Sequence, residues 1–391
     1  MDLLLKNLRW YDGATNRYGD VRISKGVFCE IGSNLFSKKN EHVCDFEGHF
    51  IYPGLINAHD HLEMNLYPKL GTPPFANYVE WANDIYKPRQ SPIQEIEKLP
   101  IKDRLLWGGI KNLISGATTV VHHNPWHRFL GKDEFPVKVL KKIAWAHSLQ
   151  FGKKIEREFP KKIETPFVIH AAEGIDAFSF SEISALDNLG LIKNNTVIIH
   201  AIAVSQTDIS LLTRNQSSVV WCPASNYFMF NQTAPVDKLR GSIRLALGSD
   251  STLTGSPTLL DEIRVAIGTN YVTSDEIFRM ITASPANIFN LPPPRIAPLS
   301  PADFFITPIA NENYFENLAI QQPKDIKLIV RNGRPRLATG NEYKTLKNLI
   351  RVQGALKHTD IEIASLKERI EKKVGCAILE LNPLWNLITA A

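Results

Sequence analysis

Short apolar runs alternate with amphipathic stretches along most of the chain, and this pattern sets the expected architecture. Leu3-Leu4-Leu5, Val21-Arg22-Ile23 and residues 27–31 are separated by turn residues such as Asp12-Gly13, Tyr18-Gly19-Asp20 and Lys25-Gly26. They predict a small antiparallel sheet over the first 50 residues. A sheet of that size cannot bury both faces alone. Residues 302–306 and 326–330, with Asn332-Gly333 as a hairpin signal, offer further strands from the far end.

Between these ends, strands and helices alternate as in a (β/α)8 barrel. The apolar run through Pro53-Gly54 resumes at Leu55-Ile56 and ends in His59 and His61. Residues 101–115 have helical spacing and stop at Gly116, and 117–121 predict the second strand. Residues 135–140 predict the third strand. The fourth has the weakest pattern, with 143–147 as its candidate, so the barrel is expected to be distorted there. Residues 166–169 run into His170, 196–199 into His200, 218–221 into Cys222-Pro223, and 243–247 into Gly248-Ser249-Asp250. Beyond residue 341, the apolar positions of 346–356 predict one helix. Residues 361–374, with Lys/Glu pairing, predict a second, amphipathic one that packs on the barrel or on a sister subunit.

Composition narrows the class. The chain has 391 residues, 44% of them hydrophobic, enough for a barrel and a smaller domain. A net charge of +5 without a Lys/Arg block in the first 340 residues gives no case for nucleic acid. Cys29, Cys44, Cys222 and Cys376 are scattered, which argues against a disulfide framework and a cysteine zinc site. The first ten residues do not read as a signal peptide, and no apolar run approaches the roughly 20 residues that span a membrane. A soluble, cytoplasmic protein without nucleic-acid or membrane partners is expected, and a homo-oligomer is allowed.

The candidate chemistry sits at the strand ends. Side chains two apart on a strand point the same way, so His59 and His61 share a face. His170, His200 and Asp250 each follow an apolar run directly, and the carboxyl ends of barrel strands converge. Imidazoles with one carboxylate suit zinc or iron and leave an open position for water.

The motifs that flank these residues resemble a known family. Pro-Gly-Leu-Ile-Asn-Ala-His-Asp-His at 53–61, His170-Ala171-Ala172-Glu173, Cys222-Pro223-Ala224-Ser225-Asn226 and Gly248-Ser249-Asp250-Ser251 with Glu262 and Arg264 resemble the amidohydrolase superfamily. Within it they are similar to the cytosine deaminase, guanine deaminase and triazine hydrolase branch, over about residues 1–335. The resemblance implies a composite β-sandwich from 1–52 plus 296–340 and a hydrolase barrel at 53–295, and residues 341–391 beyond it read as a helical C-terminal extension. It implies one divalent metal ion, zinc first and iron second, on His59, His61, His170 and Asp250. Glu173 would move the proton, His200 would bond the hydroxide or polarise the substrate, and Asp250 would also accept a proton. The implied reaction is hydrolysis of a small molecule at a carbon–nitrogen bond other than a peptide. Its leading case is deamination of an aminated heterocycle by a metal-activated hydroxide.

The second strand departs from that branch, ending in His122-His123-Asn124-Pro125-Trp126-His127. His122 and His123 are candidates for substrate binding or a further metal, and Asn226 and Trp81 are candidates for the substrate wall. A cyclic-amide hydrolase with two metals is the first alternative, with Lys138, Lys141 and Lys142 near the place of a bridging lysine. A non-catalytic metal-binding scaffold is the second, and a divergent reaction marked by the second-strand loop is the third.

Overall fold

The computed structural model describes residues 2–152, 154–341, 343 and 345–390. Four strands open the chain: β1 (Asp2–Tyr11), β2 (Asn16–Ser24), β3 (Val27–Gly32) and β4 (Glu41–Pro53). The pairs β1/β2 and β2/β3 are antiparallel, but β4 runs parallel to β1, so the N-terminal sheet is not wholly antiparallel as expected. The alternating exposed and half-buried positions of 41–49 carry little apolar signal, which hid this strand from the sequence pattern.

After Gly54 the chain continues as β5 (Leu55–Asp60). A side chain at Gly54 would fall 2.1 Å from Thr118 Oγ1, so glycine lets the two strands approach where one sheet hands over to the next. Then follow β6 (Ala117–His122), β7 (Lys138–Val139), β8 (Ala144–Ala146), β9 (Phe167–Ala171), β10 (Thr196–His200), β11 (Ser218–Trp221) and β12 (Arg244–Leu247). They form two parallel sheets, ordered β5-β6-β7 and β12-β11-β10-β9-β8. The third strand is much shorter than the expected 135–140, because only Lys138 and Val139 pair with β6. The weak candidate at 143–147 holds a strand, β8, paired with β9. The open edges of the two sheets meet where Asp250 N donates to His59 O at 3.1 Å.

The last strands are β13 (Phe304–Pro308), β14 (Leu328–Arg331), β15 (Arg334–Ala338), β16 (Asn348–Val352), β17 (Ala355–Thr359) and β18 (Ile388–Ala390). They join the first four in one ten-stranded sheet, in which β13 pairs with β4. Strands from both ends of the chain share one core through Leu3, Leu5, Phe28, Ile51, Phe304 and Val330.

The expected helix over 346–356 is a correction: these residues form the β16/β17 hairpin. Ile350 and Val352 are buried while Leu349 and Arg351 are exposed, a period of two rather than 3.6. Gln353 and Gly354 turn the chain with φ of 48° and 81°, as a two-residue hairpin requires. The second expected helix is present as Ile363–Val374. It buries Ile363, Leu366, Ile370 and Val374 in the main core, and Arg369 pairs with Asp103 at 2.9 Å on the helix Ile101–Leu113. Each such side chain contributes roughly 1.5–3 kcal/mol on burial. No helix of the described residues is long and apolar enough to cross a membrane.

The tail also reaches the loops that follow β5 and β12. The buried Asn382 amide donates to Tyr67 O at 2.8 Å and lies 3.1 Å from Asn65 O and 3.2 Å from Thr252 Oγ1. Asn382→Ala leaves those buried acceptors short of a donor, and we expect a loss of about 1–3 kcal/mol. The urea midpoint reads it, and an unchanged midpoint would mean that apolar packing alone docks the tail.

Candidate metal centre

The alternation of β5 places His59 and His61 on the inner face and Asp60 on the outer face. On the inner face, His59 Nε2 and His61 Nε2 each lie 3.3 Å from His170 Nε2, and each lies 3.9 Å from Asp250 Oδ1. His170 Nδ1 donates to His147 O at 2.7 Å, which fixes the tautomer and leaves a lone pair on Nε2. Burial first, and neighbouring histidines second, push His59 and His170 well below the usual imidazole range. Neutral nitrogens therefore face one another at 3.3 Å. His170 Nε2 has one lone pair and can accept a hydrogen bond from one of the two neighbouring nitrogens, whereas a cation between the rings satisfies both contacts at once. Ligands at about 2.1 Å from one ion are separated by about 3.0–3.4 Å along a tetrahedral or octahedral edge, so the residues fit a metal. The donor atoms of His59, His61, His123 and His170 lie within 4.8 Å of one another, as do those of His59, His200 and Asp250.

The Asp250 carboxylate is held in place at the same point. Burial opposes its charge, but His61, His200, the Ser251 N–H and the Ser225 hydroxyl hold its carboxyl below the usual range. Ser225 Oγ and Thr254 Oγ1 each donate to Oδ2 at 2.9 Å, and Ser251 N donates to Oδ1 at 2.7 Å. Asp250 takes φ of 52° and His200 takes 74°, left-handed conformations that cost energy in non-glycine residues. Both occur where a strand delivers its side chain into the centre.

Glu173 and His200 stand beside the ring of donors. Ala172, at φ 54°, turns the chain between His170 and Glu173. Glu173 Oε1 lies 3.4 Å from His200 Nε2. Burial, then the charges of Asp250 and Glu182, push Glu173 well above the usual carboxyl range. His200 Nδ1 donates to Asn226 Oδ1 at 2.8 Å, which leaves Nε2 open towards Glu173.

These groups line one end of a cavity of about 430 Å³. Its wall is mainly apolar and includes Met64, Tyr67, Trp81, Ile85 and Phe151. Among the four residues expected at the substrate, Trp81 lies on this wall. His122, His123 and Asn226 lie behind it: Asn226 under His200, and His122 against the β5 loop, where its Nδ1 accepts from Leu62 N at 3.3 Å. Lys138, Lys141 and Lys142 are exposed and away from the centre.

The sequence pattern passed over the outer face of β5. Asp60 accepts from Asn65 and Asn112 at 2.8 Å, and Lys111 Nζ lies 3.2 Å from its Oδ2. The same ammonium donates to the backbone carbonyl of Asp250, so one fully buried lysine ties β5 to the end of β12. The signal was available: Lys111 stands among Trp107, Ile110 and Ile114 on the apolar face of its helix. His147 was passed over too; it lines the cavity, and burial pushes it down to about 4.

Comparisons with known proteins identify a family and similar folds. Residues 138–336 match the model of the amidohydrolase family. A 5-methylthioadenosine/S-adenosylhomocysteine deaminase from Pyrococcus furiosus is 25% identical over 354 residues, covering 74% of this chain and 82% of its own. An adenosine deaminase from Xanthomonas campestris with bound zinc shares the fold at a TM-score of 0.73 and 16% identity, covering 95% of this chain and 97% of its own. An atrazine chlorohydrolase from Arthrobacter aurescens TC1 complexed with zinc shares it at 0.74 and 14%, covering 95% and 100%.

Breaking a buried ion pair strands a charge in low dielectric. Lys111→Met is expected to lose about 3–5 kcal/mol by denaturant unfolding, and adding Asp60→Asn is expected to restore part of it. Equal stability of the single variant and the parent would remove Lys111 from this role.

Proposed function

This chain belongs to the amidohydrolase family, and from that premise we propose that it is a hydrolase of carbon–nitrogen bonds that deaminates an aminated heterocycle. The observation that carries the reading is the meeting of His59, His61, His170 and Asp250 at one point, with Glu173 and His200 at its edge and an apolar cavity in front. The names of the relatives direct the choice of substrate to 6-aminopurine nucleosides and their 5′-modified forms. A cavity of about 430 Å³ lies within the usual range for small-molecule sites, and its aromatic wall suits a flat ring.

The metal reading is a single divalent ion, zinc first, on His59, His61, His170 and Asp250. When bound, it supplies Lewis acidity and lowers the pKa of a water. The chain's own residues do the rest. Glu173, kept protonated by burial, gives its proton to the ring nitrogen beside the amino-bearing carbon. Asp250, kept ionised, accepts a proton from the water as its oxygen adds to that carbon. His200, oriented by Asn226, holds the added oxygen by a hydrogen bond. Asp250 passes the proton it took up on to the amine, the C–N bond breaks as the added hydroxyl returns a proton to Glu173, ammonia leaves, and a carbonyl remains with both carboxyl groups restored. The exposed positions of Lys138, Lys141 and Lys142 favour one metal over a lysine-bridged pair.

In domain terms, β5 to β12 are the staves of one (β/α)8 barrel at 53–295. The composite β-sandwich draws on 1–52 and 296–340, and 341–391 extends its edge.

Two tests follow. Metal analysis of chelator-free protein is expected to return about one transition metal per chain; about two would move the reading to the binuclear branch. Glu173→Gln is expected to keep that metal while lowering kcat for ammonia release from adenosine-type nucleosides by about 10²–10⁴-fold. Full activity in this variant would end the proton-transfer role.

A further inference from the structure

His123 is not required by the reading above, yet it is the most enclosed of the second-strand histidines. Its backbone N–H donates to Asp60 O at 3.1 Å, which carries the β5/β6 pairing one residue past β6. This register turns the ring inward, fully buried, edge-on to His59 at 5.3 Å. His123 Nε2 lies 2.9 Å from Ala146 O, and a carbonyl can only accept, so the proton is on Nε2 and Nδ1 carries a lone pair. That Nδ1 is buried and has no hydrogen-bond partner among the described residues.

The ring of His123 lies parallel to that of His170, with centroids 4.3 Å apart and planes 16° apart. His170 is anchored in the same way on the next carbonyl, His147 O. Two stacked imidazoles thus hang from consecutive carbonyls at the end of β8, each with one nitrogen left bare. Both belong to the group of four histidines whose donor atoms lie within 4.8 Å of one another. Trans ligands of one ion stand about 4.2 Å apart, so a shift of a few tenths of an ångström per side chain closes the difference. A residue there only for packing would not need a bare buried nitrogen, since a leucine or phenylalanine fills space without one.

The geometry points to His123 Nδ1 as a further protein ligand of the same metal ion, beside His59, His61, His170 and Asp250. This inference rests on the metal reading given above and goes beyond its four-ligand set. Four imidazoles and one carboxylate leave one position for water at six-coordination. Such a site suits iron(II), cobalt(II) or manganese(II) at least as well as zinc, which favours four ligands.

The test loads the full chain with cobalt(II) and reads its coordination without relying on activity. X-ray absorption of the parent protein should show five or six nitrogen and oxygen donors with four imidazoles among them. Four donors with three imidazoles would overturn the inference. His123→Ala should intensify the cobalt visible bands, as lower coordination does, and weaken metal retention against a chelator by at least about ten-fold. His123→Asn, whose side-chain oxygen falls near the place of Nδ1, should recover part of both. A spectrum and retention equal to the parent's in folded His123→Ala would also overturn it, and if that variant does not fold the donor count of the parent decides. Failure of the parent to take up cobalt or zinc is a separate result, and it would remove the metal reading and this inference together.

Discussion

Buried imidazoles that face one another across a few ångströms are the constraint on which the rest of this structure depends. Burial holds His59, His123 and His170 uncharged, so none of them can relieve the others by taking up a proton. Their rings stay in place because each is fixed from behind. His170 hangs from His147 O, His123 from Ala146 O, and His59 is carried on a strand whose opposite face is locked by Asp60 and Lys111. An arrangement with this much lone-pair density at one point is built for a cation.

The same principle sets apart the two carboxyl groups at the centre. Glu173 and Asp250 are both buried carboxyls, yet their surroundings push them in opposite directions. Glu173 meets burial and two other carboxyl groups, while Asp250 meets histidines, a backbone N–H and hydroxyl donors. Two groups of one chemical type are thereby shifted in opposite directions within one centre, the separation that an acid and a base in one turnover would need. His200 sits between them in function: it is oriented by Asn226, whose own amide rests on Thr233.

The scaffold shows how far a site depends on segments remote in sequence. β4 is an interior strand of the ten-stranded sheet and leads through Gly54 directly into β5 of the next sheet, so the first histidines are delivered where one layer hands over to the other. At the other end, Asn382 reaches the loops after β5 and β12 from 315 and 130 residues away. The tail therefore takes part in holding the loops around the centre, although nothing in its own sequence speaks of chemistry.

What the sequence determined by itself was periodic or local. Apolar runs ending in His59, His61, His170, His200 and Asp250 marked strand ends, and His-x-x-Glu placed Glu173 one short turn from a histidine. These signals lie within a few residues of one another, where the two-residue and 3.6-residue repeats are legible. The stretch 348–359 carries both repeats, since Leu349, Val352 and Leu356 stand at i, i+3 and i+7 while Ile350 and Val352 stand two apart, and pairing with β15 and β18 selects the second. Tertiary structure alone decided which polar residues meet: Lys111 with Asp60, His123 with Ala146 O, Asn226 behind His200 rather than against the cavity, and Asn382 with two loops. Each of these is a long-range hydrogen bond or ion pair in a dry interior. Its partner is set by the whole packing, because a buried polar group must find a partner wherever the fold brings one.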